Sequence, residues 1–238
     1  MTTTQTRIDK RFCGPPDSGN GGYVAGIVAG VLGGSGCVVT LHRPPLLDRP
    51  LDLRTTGEGA ELLDGELVVA SAKPEDLVLN VPAPPSLDEA RAAEQHYTGH
   101  RRHNFPGCFV CGPERGEGDG LRIFPGAADS GVAASWTPGA DLADEARAVR
   151  SEFLWAALDC PGYFAVEEAA GLALLGRMTA VIERAVAPGE PLVVTGWPIA
   201  SDGRKHDVGT ALHDSDGGLV AYARATWISP LRADPRIR

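Results

Sequence analysis

Two stretches carry residue types that could do chemistry. The first is Asn20-Gly21-Gly22, which opens the apolar run "GGYVAGIVAGVLGG". A helix begun there exposes unpaired N–H donors and the positive end of its dipole. Glycines at that point let a carbonyl approach the main chain without meeting a Cβ. Gly22, Gly26 and Gly30 then recur four residues apart, and each costs a helix about 1 kcal/mol relative to alanine. Either another element packs very close to this backbone, or something binds at its first turn. The second stretch is "WAALDCPG", where Asp159 follows Trp155 by four residues and so shares its helix face. The first helix holds no Asp or Glu, and the second begins "RSEFLW" without a glycine pair. Each lacks what the other keeps. Cys160-Pro161 disfavours regular helix beside Asp159. Glu152, one residue after a candidate N-cap at Ser151, suits a partner for the helix dipole better than a base. Glu167 and Glu168 are expected to face solvent.

The stretch "HRRHNFPGCFVC" presents His100, His103, Cys108 and Cys111 as H-x2-H-x4-C-x2-C, four residue types that bind zinc. Four residues between the pairs leave little chain to wrap a tetrahedral ion, and a second Cys-x-x-Cys is missing. A buried turn with reduced thiols is the expectation, with no metal. The five cysteines are odd in number and lack a disulfide-framework spacing.

A formal net charge of -9 argues against a nucleic-acid or anionic-membrane partner. The 43% hydrophobic content supports a sizeable core. Arg7, Lys10 and Arg11 precede an apolar run as in a signal peptide, but "CGPPDSGN" intervenes, and the run is shorter than the ~20 residues of a membrane span. The expected location is cytoplasmic and reducing. The glycines of "GNGGYVAG" do not fit G-x-G-x-x-G, because Val24 stands where the third glycine belongs, so dinucleotide binding is rejected.

The elements that must position these residues come in two similar series. "RIDKRFCG" reads as a strand, residues 20–32 as a helix, and "CVVTLHRPP", "RPLDLRTTG" and "AELLDGELVVASAKP" as strands, the last a hairpin around Asp64-Gly65. Residues 79–118 read as a linker or arm, with a polar helix in "SLDEARAAEQHY". "GLRIFPG" and "GVAASWTP" then read as strands and "RSEFLWAALDCPGYFAV" as a helix. "LLGRMTAVIERAV", "EPLVVTGWPIASDG", "RKHDVGTALHDSDG" and "GLVAYARATWIS" follow as strands. A faint repeat pairs "RPLDL" with "EPLVV" and "LLDGELVVASA" with "LHDSDGGLVAYARA". His42 and His213 lie in strand-like runs as structural histidines, and Trp136, Trp155, Trp197 and Trp227 read as core. The division is residues 1–78, a linker over 79–118, and residues 119–238. The class is α+β, each half a long helix wrapped by an antiparallel sheet.

This order of elements resembles the hotdog fold. "EFLWAALDCPGYF", "GRMTAVIERAV", "GEPLVVTGWP", "DGRK" and "DSDGGLVAYARATW" are similar to segments of hotdog acyl-CoA thioesterases, and "CFVCGPERGEGDGLRIF" resembles a segment of PaaI-like members. The resemblance implies hydrolysis of an acyl-CoA or related thioester at one composite site between two hotdog-like halves. Asn20, Gly21 and Gly22 would form the oxyanion-binding turn, with Asp159 as general base or nucleophile. Gly203, Arg204 and Lys205 would contact the nucleotide, with Arg101 and Arg102 as a second option. Coenzyme A enters as part of the substrate, and no separate cofactor is implied. The alternatives are a non-catalytic acyl-CoA binder and a hotdog hydratase or dehydratase. The last wants an Asp and a His together, and neither helix carries a His. Oligomerisation through the sheets stays open, since a tandem chain already contains its pair.

Overall fold

The computed structural model describes residues 2–34 and 36–231. One antiparallel sheet of eleven strands organises them. The first half contributes β1 (Thr3–Arg7), β2 (Gly36–Leu41), β3 (Pro50–Thr55), β4 (Ala60–Asp64) and β5 (Leu67–Pro74). The second contributes β6 (Gly126–Ala128), β7 (Gly131–Trp136), β8 (Leu174–Ile182), β9 (Leu192–Asp202), β10 (Lys205–Asp214) and β11 (Leu219–Ile228). The halves meet where β2 pairs antiparallel with β8, Val39 opposite Met178.

Outward from that seam, the strands run β2-β5-β4-β3-β1 on one side and β8-β11-β10-β9-β7-β6 on the other. The connectivity of the five strands nearest the seam is the same on both sides, and β6 is an addition to the second. The two internal matches therefore fall on equivalent elements, β3 with β9 and the β4–β5 hairpin with the β10–β11 hairpin. Gly65 turns the first hairpin at φ 60°, a conformation open to glycine.

Helix α1 (Gly21–Gly30) lies against the first half, and α3 (Ser151–Ala157) and α4 (Cys160–Phe164) against the second, with α1 packed on α3. Val24 and Val28 of α1 join Phe153, Leu154 and Leu158, all buried, in one core that spans both halves. The four tryptophans are buried in it or at its edge. The connecting arm includes α2 (Leu87–Ala93), begun by a reciprocal Ser86–Glu89 capping box. This helix packs on β7 and β9. A short α5 (Glu167–Ala170) follows α4.

Three expectations change. The first strand ends at Arg7, and Lys10–Phe12 forms a 3-10 turn capped by Asp9. "GLRIFPG" is not a sheet strand: Arg122 takes φ 54°, and Leu121 and Ile123 donate their N–H groups to Phe109 and Val110 carbonyls. The segment pairs with the cysteine loop instead. The second long helix is two, broken between Ala157 and Cys160. Proline lacks an N–H for the helix ladder but suits a first turn, so Pro161 starts α4 rather than continuing α3.

Candidate functional site

Asp159 stands at that break, with φ -79° and ψ -76°, and is 2% exposed. The other half reaches it with Asn20, also 2% exposed. Asn20 caps α1 by accepting a hydrogen bond from Tyr23 N–H on its Oδ1 (2.9 Å), a satisfied N-cap. Its free Nδ2 donates to Asp159 Oδ2 at 2.8 Å, and Gly22 N–H donates to the same oxygen at 3.0 Å. Asp159 Oδ1 is buried and has no hydrogen-bond partner among the described residues. Burial pushes the carboxyl up to about 7, against the pull of Gly22 N–H and Asn20 and with a further push from Cys108.

The glycine spacing has its reason in this crossing. A Cβ on Gly22 would sit 2.6 Å from both Asp159 Cβ and Trp155 O, and one on Gly26 would run into Glu152 Cα and Trp155 Cβ. The backbone of α1 lies directly on α3 and its break. At Gly30 a Cβ would find only Ser151 Oγ at 3.7 Å, so the close approach has ended there.

The oxyanion turn expected from Asn20-Gly21-Gly22 is accordingly reassigned in part. Gly22 N–H is committed to Asp159 Oδ2, and Tyr23 N–H to the cap. Gly21 N–H has no partner among the described residues. Asn20 and Gly22 hold the carboxylate; Gly21 is the donor left over.

Asn20, Gly21 and Asp159 line a cavity of about 980 Å³, together with Cys108, Cys111 and Cys160. Its exposed lining includes Arg43 and Arg204. Arg204 Nη1 donates to Ser229 O at 3.0 Å, which steadies the side chain on the tight β9–β10 turn. Gly203 supplies φ 56° to that turn and does not line the cavity. Nor does Lys205, which instead helps to lower the carboxyl of Asp207. Arg101 and Arg102 also lie outside it.

The cysteine loop is held from several sides. Arg115 donates to Gly107 O, Cys13 Sγ and Asp119 Oδ2, and Tyr97 Oη donates to Cys111 O at 2.7 Å. His100 and His103, two positions of the H-x2-H-x4-C-x2-C spacing, stand in different surroundings. The His100 ring packs edge-on to Tyr97 and tilted on Phe124, whereas His103 Nε2 lies 3.3 Å from Cys111 Sγ. The sulfur that joins Cys108 and Cys111 is that of Cys160, next to Asp159. Sequence reasoning missed this, although an odd cysteine beside the candidate acid was a signal. His103 and His42 also line the cavity, so a histidine does share it with Asp159, from loops rather than from either helix. His213 is buried with Nδ1 unpartnered among the described residues, so it is not the fully satisfied histidine expected of its strand.

No family model matches the sequence, and no curated protein does. Solved structures do match in shape. The tesB protein of Mycobacterium avium subsp. paratuberculosis superposes with a TM-score of 0.62 at 12% identity, covering 96% of this chain and 93% of that one. The acyl-CoA thioesterase II TesB2 of Mycobacterium marinum gives 0.62 at 12%, covering 97% and 94%. A conserved protein with a hot dog fold from Alicyclobacillus acidocaldarius gives 0.56 at 10%, covering 97% and 94%. Likeness at this identity establishes the fold, two hotdog units in one chain. No helix among the described residues is long and apolar enough to cross a membrane.

Proposed function

We propose that this chain hydrolyses an acyl-CoA or a related acyl thioester at a single composite site. The observation that carries the reading is the Asp159 carboxylate. It comes from the second half, is gripped through Oδ2 by Asn20 and Gly22 of the first, and keeps Oδ1 without a hydrogen-bond partner in a residue that lines a large cavity. Two fixed donors set the orientation of the carboxylate and leave its second oxygen as the one to accept a proton from water. The water adds to the thioester carbonyl carbon, and the developing oxyanion is held by Gly21 N–H at the start of α1. Collapse of the tetrahedral species breaks the C–S bond. The leaving thiolate takes the proton from Asp159, giving a carboxylic acid and a free thiol. Direct attack by Oδ1, with an anhydride hydrolysed afterwards, uses the same geometry. Arg43 and Arg204 supply positive charge for the phosphates of coenzyme A. Five free cysteines suit a reducing, cytoplasmic location, and the -9 net charge suits a small-molecule rather than a nucleic-acid partner.

His103 in the same cavity favours a second reading, water addition to an enoyl thioester. Its ring nitrogens are both engaged, however, Nδ1 accepting from Phe105 N–H (2.9 Å) and Nε2 facing Cys111 Sγ, which ranks it below hydrolysis.

The test is thiol release from a panel of acyl-CoAs by the wild-type chain and Asp159→Asn. An asparagine oxygen can accept from Asn20 and Gly22 while its amide takes the Oδ1 position, so folding persists and turnover falls by about 10²–10⁴-fold. Equal turnover by the variant removes Asp159 from the chemistry. Saturable binding with no hydrolysis of any chain length makes the protein an acyl-CoA binder.

A further inference from the structure

Three thiols meet beside Asp159. The Sγ atoms of Cys108, Cys111 and Cys160 lie within 4.8 Å of one another, all three residues buried. Cys108 Sγ and Cys160 Sγ are 3.8 Å apart. Two thiolates bound to one tetrahedral zinc, each at ~2.3 Å, stand about 3.8 Å apart, so this edge of a coordination polyhedron is already formed. The donors come from two segments separated by about fifty residues, and each is held by its surroundings. Cys108 N–H donates to Phe105 O, and Gly112 N–H closes the Cys-x-x-Cys turn on Cys108 O at 2.9 Å. A side chain at Gly112 would strike the Pro106 and Cys108 carbonyl oxygens at 2.5 Å. Cys160 is fixed in the first turn of α4.

Hydrogen-bond donors stand among the groups around the sulfurs. Asn20 Nδ2 lies 3.9 Å from both Cys108 Sγ and Cys160 Sγ. His103 accepts Phe105 N–H on Nδ1, so the neutral ring carries its proton on Nε2 and donates it to Cys111 Sγ. N–H donors aimed at sulfur stabilise thiolates, as outer partners of metal ligands do. This tautomer also sets His103 outside the metal shell: it steadies a ligand and is not one.

We propose that Cys108, Cys111 and Cys160 form a binding site for a soft divalent cation, zinc in the first place, held as three thiolates. The fourth position falls to water or to a ligand from the cavity that the three residues line with Asp159. Binding displaces three thiol protons to solvent and changes no oxidation state. The ion ties the cysteine loop to the residue after Asp159, and so fixes the joint on which the carboxylate stands. The site does not depend on thioester hydrolysis and would exist in a non-catalytic binder.

The experiment uses the full chain, expressed in zinc-supplemented medium and purified under reducing conditions without chelator. Elemental analysis should find one zinc per chain, and mercurial titration of the wild-type thiols should release it, followed with a zinc indicator. Cobalt added to stripped protein should give thiolate-to-metal charge-transfer bands. Cys160→Ser should lose both signals, and Cys37→Ser should keep both. His103→Ala should weaken cobalt binding roughly 10–100-fold, the loss typical of an outer partner. Zinc below a tenth of an equivalent, with no cobalt bands in the wild-type chain, overturns the proposal. So does retention of the metal by Cys160→Ser, or a Cys108–Cys160 disulfide in the isolated protein.

Discussion

Asn20 Nδ2 donates to Asp159 Oδ2 across 2.8 Å and 139 positions of sequence. One side chain thereby does two jobs: its oxygen caps α1, and its nitrogen holds the carboxylate of the other half. Asn20→Ala should cost about 3 kcal/mol in denaturant unfolding, because a cap and a buried hydrogen bond to the carboxylate are lost together. Asn20→Ser keeps a capping oxygen and should recover about 1 kcal/mol of that loss, while its thiol-release rate stays near that of Asn20→Ala. If serine restores the rate as well as the stability, the amide does not orient Asp159.

The glycines of α1 should differ sharply from one another in thermal melts. Gly22→Ala forces a methyl against Asp159 Cβ and Trp155 O, where backbone must shift, and should destabilise by about 1–3 kcal/mol. Gly30→Ala meets only Ser151 Oγ at 3.7 Å and should stabilise by about 0.5–1 kcal/mol through the helix preference of alanine. Equal effects at the two positions would contradict the close crossing of α1 over α3.

Much of this was legible in the chain because it rests on local patterns. The Asn-Gly-Gly start, the strand-like segments of β8 to β11 and the Asp64-Gly65 hairpin are short-range signals, and their elements stand within a few residues of where the patterns put them. The failures share a cause, which is that a distant partner decides the outcome. Leu121 and Ile123 alternate like a strand, but Arg122 at φ 54° and the carbonyls of Phe109 and Val110 draw them onto the cysteine loop. The N–H of Gly22 was free for an oxyanion until Asp159, 137 positions later, took it. Cys160 pointed to no cluster by spacing, since its partners sit at 108 and 111. That one half supplies the donors and the other the acid could be read from what each helix lacks; which donor serves which acceptor could not.

Acid stability should report on Asp207 in β10. Partial burial pushes its carboxyl up, but the Thr226 hydroxyl (2.7 Å), Arg224 (2.8 Å) and the charge of Lys205 outweigh this and leave it below the ordinary Asp value. A folded-state value below the unfolded one gives stability that is present above the unfolded pKa and lost as pH falls through the folded one. Asp207→Asn should therefore be less stable than wild type by about 1 kcal/mol at pH 7. The two denaturation midpoints should converge as pH falls through the lowered folded-state value, below which both chains are neutral at this position. A gap that survives at low pH would mean that the loss comes from packing rather than charge.

The two neighbouring cations of the β9–β10 turn should separate in kinetics. Arg204 lines the cavity and is steadied by Ser229 O, while Lys205 lies off the cavity and acts on Asp207. Arg204 is exposed, so its pull on phosphate is screened by salt within about 10 Å at 0.1 M ionic strength. Arg204→Ala should raise KM for an acyl-CoA several-fold at low salt, with kcat nearly unchanged, and the difference should shrink as salt is added. The same variant should leave KM unchanged for an acyl pantetheine, which carries the thioester and its arm but no phosphates. Lys205→Ala should show neither effect. A kcat loss in Arg204→Ala with both substrates would instead place that side chain at the reacting carbonyl, because a group that touches only the phosphates cannot slow the chemistry of a substrate without them.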